Sequence, residues 1–167
     1  MSKLTFATIN GLTLHYTLDG LPAGEPLVFL NSLGTDLRIW DKVIPHFIDR
    51  YTLIRYDKRG HGLSDCPPGP YTLRDHTNDL AGLLVHLQVD KAILIGDSVG
   101  GMIALDFAAS RPHQVAALVL CDTAAKIGTP EYWQERIEAL RQDGILPLAT
   151  GILSRWFSPS FIENPGG

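Results

Sequence analysis

Ser98 lies in the run Gly96-Asp97-Ser98-Val99-Gly100-Gly101. A serine at Gly-x-Ser-x-Gly spacing suits one chemistry, nucleophilic attack on a carbonyl carbon. The run follows the apolar stretch Lys91-Ala92-Ile93-Leu94-Ile95 and precedes Met102–Ala109, which reads as a helix. A turn that converts a strand directly into a helix is so tight that its flanking positions must be small. The serine side chain is thereby pushed out above the sheet edge. The first N–H groups of the following helix are aimed at the reacting centre. Ser98 is therefore the expected nucleophile. The plainer alternative is a glycine-lined loop whose hydroxyl only caps its neighbours.

A tetrahedral intermediate needs two donors at its developing O⁻. Val99 N–H, directly after the nucleophile, is one candidate. The loop Asn31-Ser32-Leu33-Gly34 follows an apolar strand, and Leu33 N–H is the second. Both are backbone groups, so their side chains need not be polar. A general base is harder to find. The expected order is Ser, then acid, then His. After Ser98 the only histidine is His113, at the start of a loop on the opposite sheet edge. His61, in Arg59-Gly60-His61-Gly62, precedes Ser98 and is read as structural, with Asp57 and Asp65 as partners for the positive groups there. Asp97 is read as tuning the local field. His15, His46, His76 and His86 lack ligand spacing, so no metal and no cofactor are expected.

These groups require a particular frame. Leu4–Ile9 and Leu12–Leu18 are β-prone runs split by Asn10-Gly11, the strongest short hairpin signal. Leu27–Leu30 is continuously apolar, as in a strand buried on both faces. Trp40–Phe47 reads as a short helix with Pro45 a defect near its end, and Tyr51–Tyr56 as a strand. Leu73–Leu87 reads as an amphipathic helix with Leu80, Leu83, Leu84 and Leu87 on one face. Thr72, with Asp75 three residues on, is the expected cap. Lys91–Ile95, Val99–Ser110 and Val115–Cys121 read as strand, helix and strand, with Cys121 buried. The alternation predicts an α/β fold, a mainly parallel, doubly wound sheet with helices on both faces and a hairpin at its leading edge. Glu131–Gln142 and Ile145–Phe157 read as helices with no strand between, and no element is assigned after Ser158. Residues 1–122 are thus expected to form the core and 123–167 the beginning of a helical cap.

Bulk properties agree with one globular domain. The chain has 167 residues, 45% apolar and 19% charged, with a formal net charge of −4. That balance argues against nucleic-acid or anionic-membrane partners. No apolar run reaches bilayer length and no signal-peptide pattern is present, so a cytoplasmic location is expected. Cys66 and Cys121 show neither metal spacing nor a disulfide framework. Leu27–Asn31 leads into Ser-Leu-Gly rather than Gly-x-Gly-x-x-Gly, which disfavours a dinucleotide-binding fold.

Asn31-Ser32-Leu33-Gly34-Thr35-Asp36-Leu37-Arg38-Ile39-Trp40-Asp41, Tyr56–Ser64, Gly69-Pro70-Tyr71-Thr72 and Gly96–Ala104 together resemble the 3-oxoadipate enol-lactonases of the α/β-hydrolase superfamily. The elbow and Arg-Gly-His-Gly are shared by many α/β-hydrolases. The Asn-Ser-Leu-Gly-Thr-Asp loop discriminates more, since many relatives carry His-Gly there. The resemblance implies hydrolysis of a small anionic enol-lactone to 3-oxoadipate, in the β-ketoadipate pathway of aromatic catabolism. It implies Ser98 as nucleophile, with Leu33 and Val99 supplying the oxyanion hole. A carboxylate-bearing substrate needs a cation, for which Arg38 and Arg136 are candidates, with Trp133 walling the ring. Such enzymes return to the sheet after the cap to supply the triad Asp and His. This chain is therefore expected to need the C-terminal half of the same protein, and to be inactive alone. Haloalkane dehalogenases and epoxide hydrolases use Asp where Ser98 stands. Another esterase, a carbon–carbon hydrolase, or a non-catalytic binding module on the same scaffold remain the alternatives.

Overall fold

A computed structural model describes residues 4–164. The chain folds as two units, with the boundary between Ile127 and Gly128. The first unit is built on a six-stranded sheet. Its strands are β1 (Thr5–Ile9), β2 (Leu12–Gly20), β3 (Glu25–Leu30), β4 (Tyr51–Tyr56), β5 (Ala92–Asp97) and β6 (Val115–Cys121), in the order β1-β2-β4-β3-β5-β6. β1 and β2 form the expected hairpin, with Ile9 opposite Leu12. Asn10 and Gly11 both take positive φ, 52° and 79°, as a two-residue hairpin turn demands. β2 runs antiparallel to β4, whereas β3 pairs in parallel with β4 and β5, and β5 with β6.

β3 shows why a central parallel strand reads as a solid apolar run. Val28 and Leu30 face a core shared with Leu80, Leu83 and Leu84 of α1 (Leu73–His86) and with Ile103, Ala104 and Phe107 of α2 (Val99–Ser110). Leu27 and Phe29 face the other side, against Trp40 and Ile44. Helical segments thus cover both faces, but on the second they are two 3₁₀ turns, Leu37–Trp40 and Ile44–His46. These replace the single helix expected over Trp40–Phe47. Asp36 caps the first by accepting from Arg38 N–H, and Pro45, lacking an N–H, falls within the second.

α1 begins with the expected capping box. Thr72 Oγ1 accepts from Asp75 N–H, and Asp75 Oδ2 accepts from Thr72 N–H at 2.7 Å. Thr72→Ala in the full-length protein will lower stability by about 1 kcal/mol in urea unfolding. An unchanged midpoint would show that the cap contributes nothing.

β6 is an outer strand, at the opposite end of the sheet from β1. Val119 and Leu120 are exposed, and so is Cys121, contrary to the buried position expected for it. An outer strand has a neighbour on one side only, so its apolar residues lack the cover that β3 and β5 receive.

Among the described residues, the second unit holds α3 (Pro130–Asp143), α4 (Ile145–Trp156) and α5 (Pro159–Glu163), without a strand. Thr129 caps α3, and Gly144, at φ 75°, separates α3 from α4. α5 was not foreseen. Ser158 caps it by accepting from Phe161 N–H, and Phe157 stacks on Phe161 at 4.8 Å between ring centroids.

Candidate active site

The β5–α2 junction places Ser98 at φ 53°, ψ −118°. This left-handed backbone is costly for a residue with a Cβ, about 1–3 kcal/mol, and such cost persists where the surroundings enforce it. The enforcement is visible on both sides. Ser98 N–H donates to Cys121 O at 3.0 Å, extending the β5–β6 ladder into the turn. Ser98 O accepts from Gly101 N–H, Met102 N–H and Thr123 Oγ1. The glycines are there for space. A Cβ on Gly96 would come within 2.6 Å of the Gly100 carbonyl carbon and of Gly101 Cα. A Cβ on Gly100 would collide with the Leu30 carbonyl at the end of β3. Ser98 Oγ itself, half-buried, has no hydrogen-bond partner among the described residues.

β3 and β5 are neighbours in register, Leu30 opposite Gly96, so the loops that follow them leave the same sheet edge side by side. Leu33 sits three residues beyond Leu30, outside any strand ladder. Neither Leu33 N–H nor Val99 N–H donates to a protein acceptor among the described residues. Ser98, Leu33 and Val99 are thus brought to one edge.

The Asn31–Thr35 loop is held from beneath. Asn31 Nδ2 donates to Thr35 O, Thr35 Oγ1 donates to Ser32 O at 3.0 Å, and Gly34 N–H donates to His61 Nε2 at 3.1 Å. His61 Nδ1 lies 3.1 Å from Arg59 O. With Nε2 accepting, Nδ1 carries the proton, so the ring is neutral. Burial, and secondarily the Lys58 ammonium, push the His61 pKa down and favour that state. The expected partners for Arg59 and His61 were wrong. Arg59 pairs with Asp79, at 2.6 and 2.8 Å, and more distantly with Asp75. Asp57 instead accepts from His15 Nδ1 at 2.8 Å and from the Leu37 and Leu63 N–H groups, and Asp65 accepts from Thr13 N–H. Long-range pairing decides these partners, and sequence proximity does not reveal it.

Two charged groups beside the site carry no local sequence motif. Lys58 is buried, and its Nζ donates to Asn31 O and Ser32 O. Asp122, at φ 41°, raises the Asp97 pKa, as burial does more strongly, while Lys58 pulls it down. The available signal for Lys58 was its place two residues after β4, where the strand's burial continues through Asp57.

Arg38 lies on the first 3₁₀ turn. Its exposed guanidinium is paired with Asp36, at 2.9 and 2.6 Å, and that pairing holds the Asp36 pKa below the usual carboxylate range. Trp133 and Arg136 lie on α3 of the second unit, with the Arg136 guanidinium 5.6 Å from the Trp133 ring centroid. Arg136 and Arg155, the latter not foreseen, both donate to the Tyr132 hydroxyl, at 3.3 and 3.1 Å. Arg155 and then Arg136 lower the Tyr132 pKa. His113 lies on the 3₁₀ turn Pro112–Gln114, before β6. No cluster of three or more His, Cys, Asp or Glu side chains suited to a metal occurs among the described residues. No helix among them is long and apolar enough to cross a membrane.

The chain is 40% identical to 3-oxoadipate enol-lactonase 2 of Acinetobacter baylyi over 157 residues, which is 94% of this chain and 59% of that protein. It is 34% identical to 3-oxoadipate enol-lactonase 1 of the same organism, over 91% of this chain and 57% of that one. The crystal structure of the enol-lactonase from Burkholderia xenovorans LB400 superimposes with a TM-score of 0.92 at 38% identity, over 95% of this chain and 62% of that chain. The chain therefore spans about three fifths of the length of these relatives. Residues 25–150 match the family model of the alpha/beta hydrolase fold, and the chain belongs to that family.

Proposed function

We propose that the protein is a serine hydrolase that opens 3-oxoadipate enol-lactone to 3-oxoadipate. Ser98 Oγ attacks the lactone carbonyl, and the O⁻ that develops is met by the Leu33 and Val99 N–H groups. Collapse breaks the ring C–O bond and expels the enol oxygen, which takes the proton given up by Ser98, while the opened chain stays attached as the acyl–Ser98 ester and its enol goes over to the ketone. Water then cleaves the acyl–Ser98 ester and regenerates the hydroxyl. The observation that carries this reading is the strained Ser98 backbone at the β5–α2 junction, beside two unaccepted N–H groups. The kinship to enol-lactonases supports the substrate class.

The acid and base of the triad are proposed to lie outside residues 1–167. Ser98 Oγ has no imidazole partner among the described residues, and β6 offers an open, apolar edge on which further sheet would add. Residues 1–167 alone are then expected to be inactive, since an unassisted serine is a weak nucleophile at its free pKa. We place the core in residues 1–122 and the start of the cap in 123–167, in a cytoplasmic enzyme.

The substrate carboxylate calls for a cation. Arg38 and Arg136 are the proposed candidates, with the Arg38 charge already matched by Asp36, and Trp133 is proposed to wall the ring. In the full-length protein, Arg136→Ala will raise KM for the anionic lactone about tenfold or more, the value of a hydrogen bond to a charged group. It will leave p-nitrophenyl acetate turnover within twofold, and Arg38→Ala will change neither. Equal losses on both substrates would reject the carboxylate role. Failure of the full-length protein to turn over the enol-lactone, while it hydrolyses neutral esters, would favour the general esterase reading.

A further inference from the structure

Lys58 is a costly residue where it stands. Its side chain leaves only 2% of the residue exposed, and a buried ammonium forfeits hydration that a few hydrogen bonds only partly replace. Burial pushes its pKa down to about 7 even though Asp57 and Asp97 pull it up. Its Nζ is spent on two backbone carbonyls, Ser32 O at 2.7 Å and Asn31 O at 3.1 Å. Both belong to the loop that carries Leu33.

We propose that Lys58 is a positioning residue for the oxyanion hole, fixing the Ser32–Leu33 peptide so that the Leu33 N–H faces the Ser98 side of the loop. The argument is geometric. In a trans peptide the C=O and the following N–H point in opposite directions. A Ser32 carbonyl anchored on Lys58 therefore turns the Leu33 N–H away from Lys58. That N–H is unaccepted, as a donor reserved for a transient oxyanion must be. Thr35 Oγ1, at 3.0 Å, and Asn31 Nδ2, at 3.5 Å, reach the same carbonyl, but these neutral donors are weaker anchors than the ammonium at 2.7 Å. Without the ammonium the peptide can rotate, and the second donor is lost from the hole for part of the time. Lys58 touches neither substrate nor Ser98; it acts through the loop.

The inference rests on the serine-hydrolase reading, and its test separates the two. Full-length wild type, Lys58→Met and Ser98→Ala are assayed on p-nitrophenyl acetate between pH 5.5 and 9. Lys58→Met will lower kcat roughly 10- to 100-fold, less than complete removal of an oxyanion donor, with KM within about threefold. The ratio of wild-type to Lys58→Met kcat will fall as pH rises through about 7, because the ammonium that anchors the carbonyls gives way to the amine. A base common to both proteins cancels from that ratio. The other groups facing Lys58 are Asp57, Asp97 with Asp122 beyond it, His61 and His76. Burial pushes the His76 pKa down to about 4, below this window, and burial followed by Lys58 lowers the His61 pKa. A purely structural role for Lys58 would give a flat ratio, or kcat and KM changing together, and either would overturn the proposal. Lys58→Arg, whose charge does not titrate, will lose the alkaline fall. If neither variant folds, a wild-type kcat that climbs without decline to pH 9 contradicts the proposal. A fully active Ser98→Ala would instead overturn the underlying hydrolase reading.

Discussion

Ser98→Ala in the full-length protein will cut kcat for lactone and ester hydrolysis by at least ~10³-fold, the scale seen when a nucleophile of this kind is removed. It will leave the unfolding midpoint unchanged. Both halves follow from the turn. Ser98 Oγ makes no hydrogen bond among the described residues, so its removal sacrifices no internal interaction. The backbone strain at φ 53° is common to Ser and Ala, and the bonds that enforce it are made by the Ser98 main chain. The loss is then chemical, through the missing acyl-enzyme step. Steady-state kinetics beside urea unfolding checks it. Activity within a few fold of wild type would assign the hydroxyl to local structure.

Gly100→Ala will have the largest effect on folding of any single methyl addition at the site. The new Cβ would fall on the Leu30 carbonyl, which is main chain at the end of a central strand. A flexible side chain could swing away; a strand held between β4 and β5 cannot. Overpacking of this kind costs 1–3 kcal/mol where neighbours yield. Here, with backbone as the obstacle, we expect at least about 3 kcal/mol, read as a lower urea midpoint. Any folded fraction should show reduced kcat, because relief requires β3 and α2 to separate, and β3 leads into the loop that holds Leu33 while α2 begins at Val99. A stable, fully active Gly100→Ala protein would mean that the two loops are not packed as described.

The elbow was legible because its causes are local. Glycine spacing, an apolar strand before and an Ala-rich helix after are all contained within about fifteen residues, and the strain at Ser98 is their geometric result. Asn10-Gly11 and the Thr72–Asp75 box were legible for the same reason, each being a short-range motif with its own physics. What remained hidden depends on partners distant in sequence. Arg59 finds Asp79, and Asp57 finds His15 and the Leu37 N–H, only once β2, β4 and α1 are assembled. Lys58 resembles an exposed loop charge until the Asn31–Thr35 loop is folded over it. Cys121 follows the pattern of a buried strand, but burial needs a neighbour on each side, and β6 has one. Trp40–Phe47 reads as a short helix, yet Pro45 and the Asp36 cap favour two separate 3₁₀ turns.

If Ser98 is the nucleophile of a hydrolase, an organophosphate will label it. Brief treatment of the full-length protein with paraoxon, followed by proteolysis and mass spectrometry, should find one diethyl phosphate per molecule, on the peptide containing Ser98, with activity lost in step with labelling. Phosphorylation at another residue, or none at Ser98 while lactone turnover continues, would contradict that role.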